Sequence, residues 1–329
     1  PICAWFYDTQ MLNTEIFVAM TAAALNTSKI RLATGVLIPS SRIAPVAASA
    51  LASLNALAPG RIDFGISTGF TARRSMGLGP VKLAEMEEYI RVVHGLLAGE
   101  TLEWQFEEKQ RKIRFLDPDI GAINIKDPIP LHISAFGPKG RKLIAKLGAG
   151  WIDAPGNVAR AGANIAEVQA AWAEAGRTVE SFHATASISG CVLQPGEDAG
   201  SERVKSVVGP HAMIMLHKLG ELQVGNFGRP LPPTLAHLVD KYREVYLSYQ
   251  PEDARYLQNH RGHLMYLRPE EHAFCNAELI KSTTFTASKA ELRERLQELS
   301  RLGFKHFGIE AGYRHPEILE QWADVFEGV

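Results

Sequence analysis

Apolar and polar positions along the chain follow two alternating periods. Ile30 to Pro39 is a β-branched apolar run that contains Gly35 and is stopped by a proline, which predicts a strand. Ala47 to Leu57 is alanine-rich and predicts a helix, and Ala58-Pro59-Gly60-Arg61 breaks it before a second strand, Ile62 to Ser67. That strand empties into Thr68-Gly69-Phe70-Thr71, where glycine lets the backbone come close to a ligand. The alternation holds elsewhere. Strands are predicted at Trp5 to Tyr7, Ile129 to Ala135, Gly150 to Ile152, Phe182 to Leu193 and Lys305 to Ala311. Helices are predicted at Asn13 to Leu25, Pro138 to Leu147, Asn157 to Ala175, Ser288 to Leu302 and Pro316 to Phe326. Lys82 to Leu97 places Met86, Tyr89, Ile90, Val93 and Leu97 on one helical stripe, and Thr101 to Leu116 reads as a polar hairpin.

Strands alternating with helices predict an α/β protein of the TIM (β/α)8 type, with functional residues on the loops after the strands. One domain over residues 1–329 is expected. Residues 201–262 are too long for an ordinary connection and read as a mostly helical insertion, with Pro230, Pro232 and Pro233 marking a covering loop.

Composition narrows the class. The 329 residues are 46% hydrophobic, enough for a sizeable core, and a net charge of -1 gives no electrostatic reason to expect nucleic acid or an anionic membrane. No apolar run approaches the ~18 residues of a membrane span, and no signal-peptide pattern opens the chain. Cys3, Cys191 and Cys275 are widely spaced and read as reduced thiols of a cytoplasmic protein. No His, Cys or carboxylate cluster has metal-ligand spacing.

Four segments carry a family resemblance, in order. They are Thr34-Gly35-Val36-Leu37-Ile38-Pro39 with Arg42 and Pro45; Ala58-Pro59-Gly60-Arg61 with Gly65-Ile66-Ser67-Thr68-Gly69; Ala135-Phe136-Gly137-Pro138-Lys139; and Leu264 to Glu271 leading to Glu278-Leu279-Ile280. Together they resemble the bacterial-luciferase-like flavin oxidoreductases, most similarly the branch of the methylenetetrahydromethanopterin reductases and F420-dependent dehydrogenases. Pro1 to Asp8 is similar to the family's second barrel strand, so either the sequence begins late or the barrel closes in another way.

The resemblance implies where a cofactor lies. Relatives carry a non-proline cis peptide at Gly35-Val36, a bulge that supports the flavin ring; a glycine that merely eases packing is the other reading. Thr68, Gly69 and Phe70 correspond to a loop along the cofactor, but Phe70 stands where several F420-dependent relatives have an acidic residue, a proton donor in the sugar-phosphate dehydrogenases; Phe70 reads as a stacking or apolar wall, or as a packing residue. Ala135, Phe136, Gly137, Pro138 and Lys139 lie between strand and helix, where first-turn amides suit the phosphate of FMN or F420; an ordinary turn with proline at the helix start would use the same residues. Gly156 closes the next strand similarly. Asp8 matches an aspartate beside the flavin, whereas Thr9 and Gln10 stand where relatives carry a histidine. Asp153 and Glu310 near strand ends are candidate catalytic bases or hydrogen-bonded rim groups. His132 and His306 read as packing or surface residues. Arg73 and Arg74 could hold a phosphate or acidic substrate, or end a solvated helix.

The function implied is oxidation or reduction of a small organic substrate. One form is a monooxygenase using reduced FMN from a separate reductase; the alternatives are F420-dependent hydride transfer and a non-catalytic flavin-binding protein. A homodimer is expected from the resemblance alone.

Overall fold

The computed structural model describes residues 2–221, 233–312 and 314–329. The strands, in chain order, are β1 (Cys3–Phe6), β2 (Arg31–Thr34), β3 (Ile62–Ile66), β4 (Leu102–Phe106), β5 (Lys109–Ile113), β6 (Leu131–Ser134), β7 (Gly150–Asp153), β8 (Ala184–Ile188), β9 (Val192–Leu193), β10 (Ala287–Ser288) and β11 (His306–Ile309). Seven of them form one sheet in the order β1-β2-β3-β6-β7-β8-β11, and the β1–β2, β2–β3, β3–β6 and β8–β11 pairings are parallel. With helices between them, this is the (β/α) barrel class that the alternating pattern predicts. Internal packing divides the chain into two units, Pro1–Arg73 with Pro80–Trp151, and Arg74–Gly79 with Ile152–Val329.

In the first unit the helices are α1 (Ile16–Asn26), α2 (Ala44–Leu57), α3 (Thr71–Arg74, ending at the unit boundary), α4 (Leu83–Leu97) and α5 (Pro138–Leu147). Pro45 sits in the first turn of α2, where its fixed φ suits the helix and its missing N–H costs nothing. The small side chains of Ala47, Ala48 and Ala52 are fully buried with Leu51 as α2 packs on α4. β3 is buried throughout, as expected of a strand covered on both faces. The strand predicted from Ile30 to Pro39 is shorter than its apolar run: the chain leaves the ladder at Gly35, and Leu37 rejoins by an isolated bridge to Ile66. At the opposite end of these strands Arg31 grips Asp63 with two bonds of 2.7 and 2.9 Å. The predicted polar hairpin is β4–β5.

In the second unit the helices are α6 (Val158–Glu174), α7 (Glu202–Gly220), α8 (Ala236–Ser248), α9 (Arg255–Asn259), α10 (Ala277–Thr283), α11 (Lys289–Leu302) and α12 (Glu317–Phe326). The strand predicted from Phe182 to Leu193 is in fact two. Phe285 N donates to Ser189 O at 2.8 Å and the Phe285 backbone lies against Gly190, so the chain turns out of the sheet there and β9 pairs with β10 instead. The insertion is helical where described, with α7, α8 and α9. Pro230 and Pro232 lie outside the described residues; Pro233 opens a short 3-10 turn. Ser288 and Glu291 form the reciprocal capping box that starts α11. No helix of the described residues is long and apolar enough to cross a membrane.

A buried polar cluster ties this unit together. His217 Nε2 meets Glu271 Oε1 at 2.6 Å, and its Nδ1 lies 3.1 Å from His263 Nδ1. Arg268 donates to Glu271 at 2.5 Å and to Tyr242 at 2.8 Å. With both imidazoles neutral, the bonds run in one direction: His263 Nδ1–H to His217, then His217 Nε2–H to Glu271. Burial pushes the pKa values of His217 and His263 down from the usual histidine range, consistent with that assignment. Burial opposes the charge on Glu271, yet His217 and Arg268 outweigh it and hold the carboxyl at about 2.

The acid response follows from these signs. The unfolded chain protonates its histidines near pH ~6.5 and its glutamates near ~4.3, while the folded chain keeps these groups unprotonated to lower pH. Stability is therefore complete above about pH 6.5, declines as the histidines charge in the unfolded state, and declines again between about pH 4.5 and 2. Denaturant midpoints measured from pH 8 to pH 3 should show this progressive loss, and His263→Phe should flatten the first phase.

Candidate active site

The residues after β1, β2, β3 and β6 build a site within the first unit. Its centre is the exit from β2. Thr34, fully buried, donates through Oγ1 to Gly65 O at 2.7 Å and accepts from Gly65 N at 2.9 Å. The two strands are so close that a Cβ on Gly65 would lie 2.2 Å from Thr34 O, and a Cβ on Gly35 would lie 2.8 Å from Trp5 Cβ. Both positions require glycine for space rather than for φ. The Gly35-Val36 peptide is cis, as the resemblance implies. Gly35 N is held by Phe6 O at 2.6 Å and Leu37 N by Gly65 O at 2.8 Å, so the bulge is anchored on both sides.

Asp8, 5% exposed, closes this exit from the β1 side. Its Oδ2 accepts from Ile38 N at 3.0 Å and from Arg42 Nη1 at 2.9 Å, and Arg42 reaches on to Glu15, the N-cap of α1, at 2.7 Å. The aspartate therefore welds the β1 end to the segment after the bulge. Gln10, two residues on, donates through Nε2 to Ala72 O at 2.5 Å.

The loop after β3 is pinned by Val81 N donating to Thr68 O at 2.8 Å. Gly69 has φ +80°, and a Cβ there would meet Ile38 and Arg73 at 2.8 and 2.9 Å, so glycine is needed on both counts. Phe70 is half-buried beside it. After β6, Ala135 is buried while Phe136, Gly137, Pro138 and Lys139 are exposed at the start of α5. Gly137 is the N-cap, no side chain caps the helix, and a Cβ on Gly137 would meet nothing within 4 Å. Exposed first-turn amides with open space before them fit an anionic group.

Gly156, Asp153, Glu310 and Arg74 belong to the second unit. Gly156 has φ +73° and precedes Asn157, which caps α6 through Arg160 N at 2.9 Å. Asp153 is wholly buried and accepts from Asn164 at 3.1 Å. Glu310 accepts from Ser187 at 3.0 Å and Ser189 at 2.6 Å and lies 2.7 Å from His211 Nε2. Burial would raise its carboxyl, but His211 and the two hydroxyls hold it at about 2, although its side chain is still 23% exposed. A carboxylate held that firmly is a poor proton acceptor, which weighs against Glu310 as a base. Arg74 lies 3.5 Å from Glu221 and is mostly buried, so it is not a solvated helix end. His132 packs edge-on against Trp5, as a packing role predicts. Burial raises the Cys3 and Cys275 thiols to about 12, so both stay protonated at neutral pH. A cavity of about 680 Å³ in this unit, lined by Lys205, Tyr266, His272 and Arg314 among others, includes none of the predicted site residues. Among the described residues no group of three or more His, Cys, Asp or Glu could hold a metal ion.

Residues 3–306 match the family described as luciferase-like monooxygenase. The chain belongs to that family. Among its relatives is an F420-dependent glucose-6-phosphate dehydrogenase of Beutenbergia cavernae, 33% identical over 40% of this chain and 39% of the relative. Another is a 5,10-methylenetetrahydromethanopterin reductase of Methanolobus tindarius, 31% identical over 42% of this chain and 41% of the relative. These matches span about two fifths of each relative's length. Among solved structures, the coenzyme F420 dependent tetrahydromethanopterin reductase of Methanopyrus kandleri superposes with a TM-score of 0.69 at 17% identity, over 99% of this chain and 90% of that one. The EDTA monooxygenase of a Chelativorans species gives 0.61 at 16%, over 98% and 81%. At those identities the superpositions establish the luciferase-like barrel fold alone.

The cis Gly35-Val36 peptide lies where the sequence places it, whereas two polar side chains beside it have no role assigned from sequence. Arg42 stood in a motif without a role, although an arginine shortly after a buried aspartate's strand partner is a readable pairing signal. Thr34 was hidden inside an apolar run. Thr34→Val should cost about 1–3 kcal/mol, because it leaves Gly65 N buried without an acceptor; equal denaturation midpoints for variant and parent would contradict that role.

Proposed function

We infer that this luciferase-like protein is an oxidoreductase that binds a flavin-type cofactor at the first unit's strand ends. Of the two cofactors considered, F420 with direct hydride transfer has the more support. The observation that carries this reading is that both curated relatives above are named for F420 or methanopterin chemistry, while the strand-end geometry suits a phosphate-bearing heterocycle. Reduced-FMN monooxygenation is the second reading, favoured by the family description and by the likeness to the EDTA monooxygenase.

Such a cofactor accepts or donates a hydride when bound. The protein's own share is positional. The uncapped start of α5 at Gly137 offers amides to the phosphate, with Lys139 adding positive charge. Gly69 keeps the β3 loop low, and Phe70 supplies an apolar wall that excludes water from the reacting face. The Asp8–Arg42 pair fixes the approach from β1. Neither Phe70 nor Gln10 can give up a proton, so neither serves as an acid toward the substrate.

Titrating the protein with F420 and with FMN while following fluorescence, then adding substrates to the F420 form without oxygen and to the chemically reduced FMN form with oxygen, separates the readings. Preference for F420 with oxygen-independent bleaching supports the first; FMN preference with oxygen uptake supports the second; tight FMN binding without turnover marks a flavin-binding protein. Gly137→Asp places a negative charge before the helix and should weaken binding of whichever cofactor is preferred by about fivefold, in line with ~1 kcal/mol for a charge at a helix end. Unchanged affinity would remove the phosphate from this location.

A further inference from the structure

Gln10 Oε1, Ser41 Oγ and Tyr89 OH are each shielded from solvent without a hydrogen-bond partner among the described residues. They come from three segments of the first unit: the loop after β1, the loop after β2, and α4. Tyr89 is only 7% exposed, and its phenol lies within electrostatic reach of both Arg42 and Asp8, which places it at the same end of the strands as the bulge. Buried polar groups are almost always paired, so a collection of unpaired ones around a site points to a partner that comes from outside the chain.

Their roles can be assigned. Gln10 Nε2 donates to Ala72 O; turning the amide over would set oxygen against oxygen, so the unpaired atom is the carbonyl, a pure acceptor. Burial raises the Tyr89 pKa, so its hydroxyl keeps its proton and can donate. Arg42 is committed to Asp8 and Glu15. Beside the Ser41 hydroxyl, which can act either way, a neutral donor and a neutral acceptor remain on offer.

Resting on the cofactor reading above, we propose that Tyr89 and Gln10 recognise the ring of the cofactor, the phenol donating to a ring carbonyl and the amide oxygen accepting from a ring N–H. The ligand class is a heterocycle bearing an imide, the feature that flavins and deazaflavins share. Tyr89 is thus a binding residue on a helix whose sequence pattern marks it only as packing.

The test compares the parent, Tyr89→Phe and Gln10→Met by ligand-free thermal melting and by fluorescence titration with F420, FMN and riboflavin. Tyr89→Phe removes only the unpaired hydroxyl, so its ligand-free melting temperature should equal or exceed the parent's. Its affinity for the preferred cofactor should fall about five- to tenfold, and Gln10→Met should weaken binding similarly. Where riboflavin binds, the Tyr89→Phe loss should persist, because riboflavin keeps the ring and lacks the phosphate. A parent that binds cofactor alongside variants of equal affinity overturns this inference alone and leaves these atoms to buried water. A parent that binds neither F420 nor FMN overturns the cofactor reading as well.

Discussion

The close approach of β2 and β3 at Thr34 and Gly65 is the constraint on which the site depends. No side chain fits at Gly65, since a Cβ there would overlap the Thr34 carbonyl, and the Thr34 hydroxyl binds both polar groups of the Gly65 peptide unit. Just beyond this contact the chain leaves the ladder. It bulges at Gly35-Val36 and returns at Leu37, whose N–H takes the Gly65 carbonyl. Everything placed on the far side of the bulge, including Ile38, Ser41 and Arg42, owes its position to this contact. Asp8 then locks the arrangement by accepting from the Ile38 amide and the Arg42 guanidinium through one oxygen. Burying that charge is tolerable because two donors, one of them a cation, replace its water.

Much of the architecture was legible because it is written in local chemistry. The breakers at Ala58 to Arg61 act within a few residues, and the helix and strand they separate lie close to where the pattern puts them. What the pattern could not show depends on residues distant in the chain. The Phe182 to Leu193 run alternates like one strand, yet Phe285 draws it out of the sheet at Ser189 and Gly190. The apolar run through Pro39 likewise ends early as a strand, because its limit is set by Gly65 and Trp5 rather than by its own composition.

The candidate site divides in the same way. Its glycines were readable, since close approach and positive φ leave few substitutes. Its polar side chains were less so. Tyr89 sits on a helical stripe with Met86, Ile90 and Val93, and periodicity weighs a tyrosine there by its ring and not by its hydroxyl. Glu310 shows the converse: position after a strand suggested a base, while Ser187, Ser189 and His211 show a carboxylate already saturated with donors.

The chemistry open to the protein is shaped by what this end of the first unit lacks. Phe70 follows Gly69 where an acid would stand, Gln10 cannot carry a proton, and the Asp8 carboxylate is occupied by a guanidinium and an amide. A reaction that needed a protein acid at these positions would therefore be slow. Direct hydride transfer makes the smallest demand of this kind, since the hydride moves between cofactor and substrate carbon and only the oxygen or nitrogen left behind exchanges a proton with water.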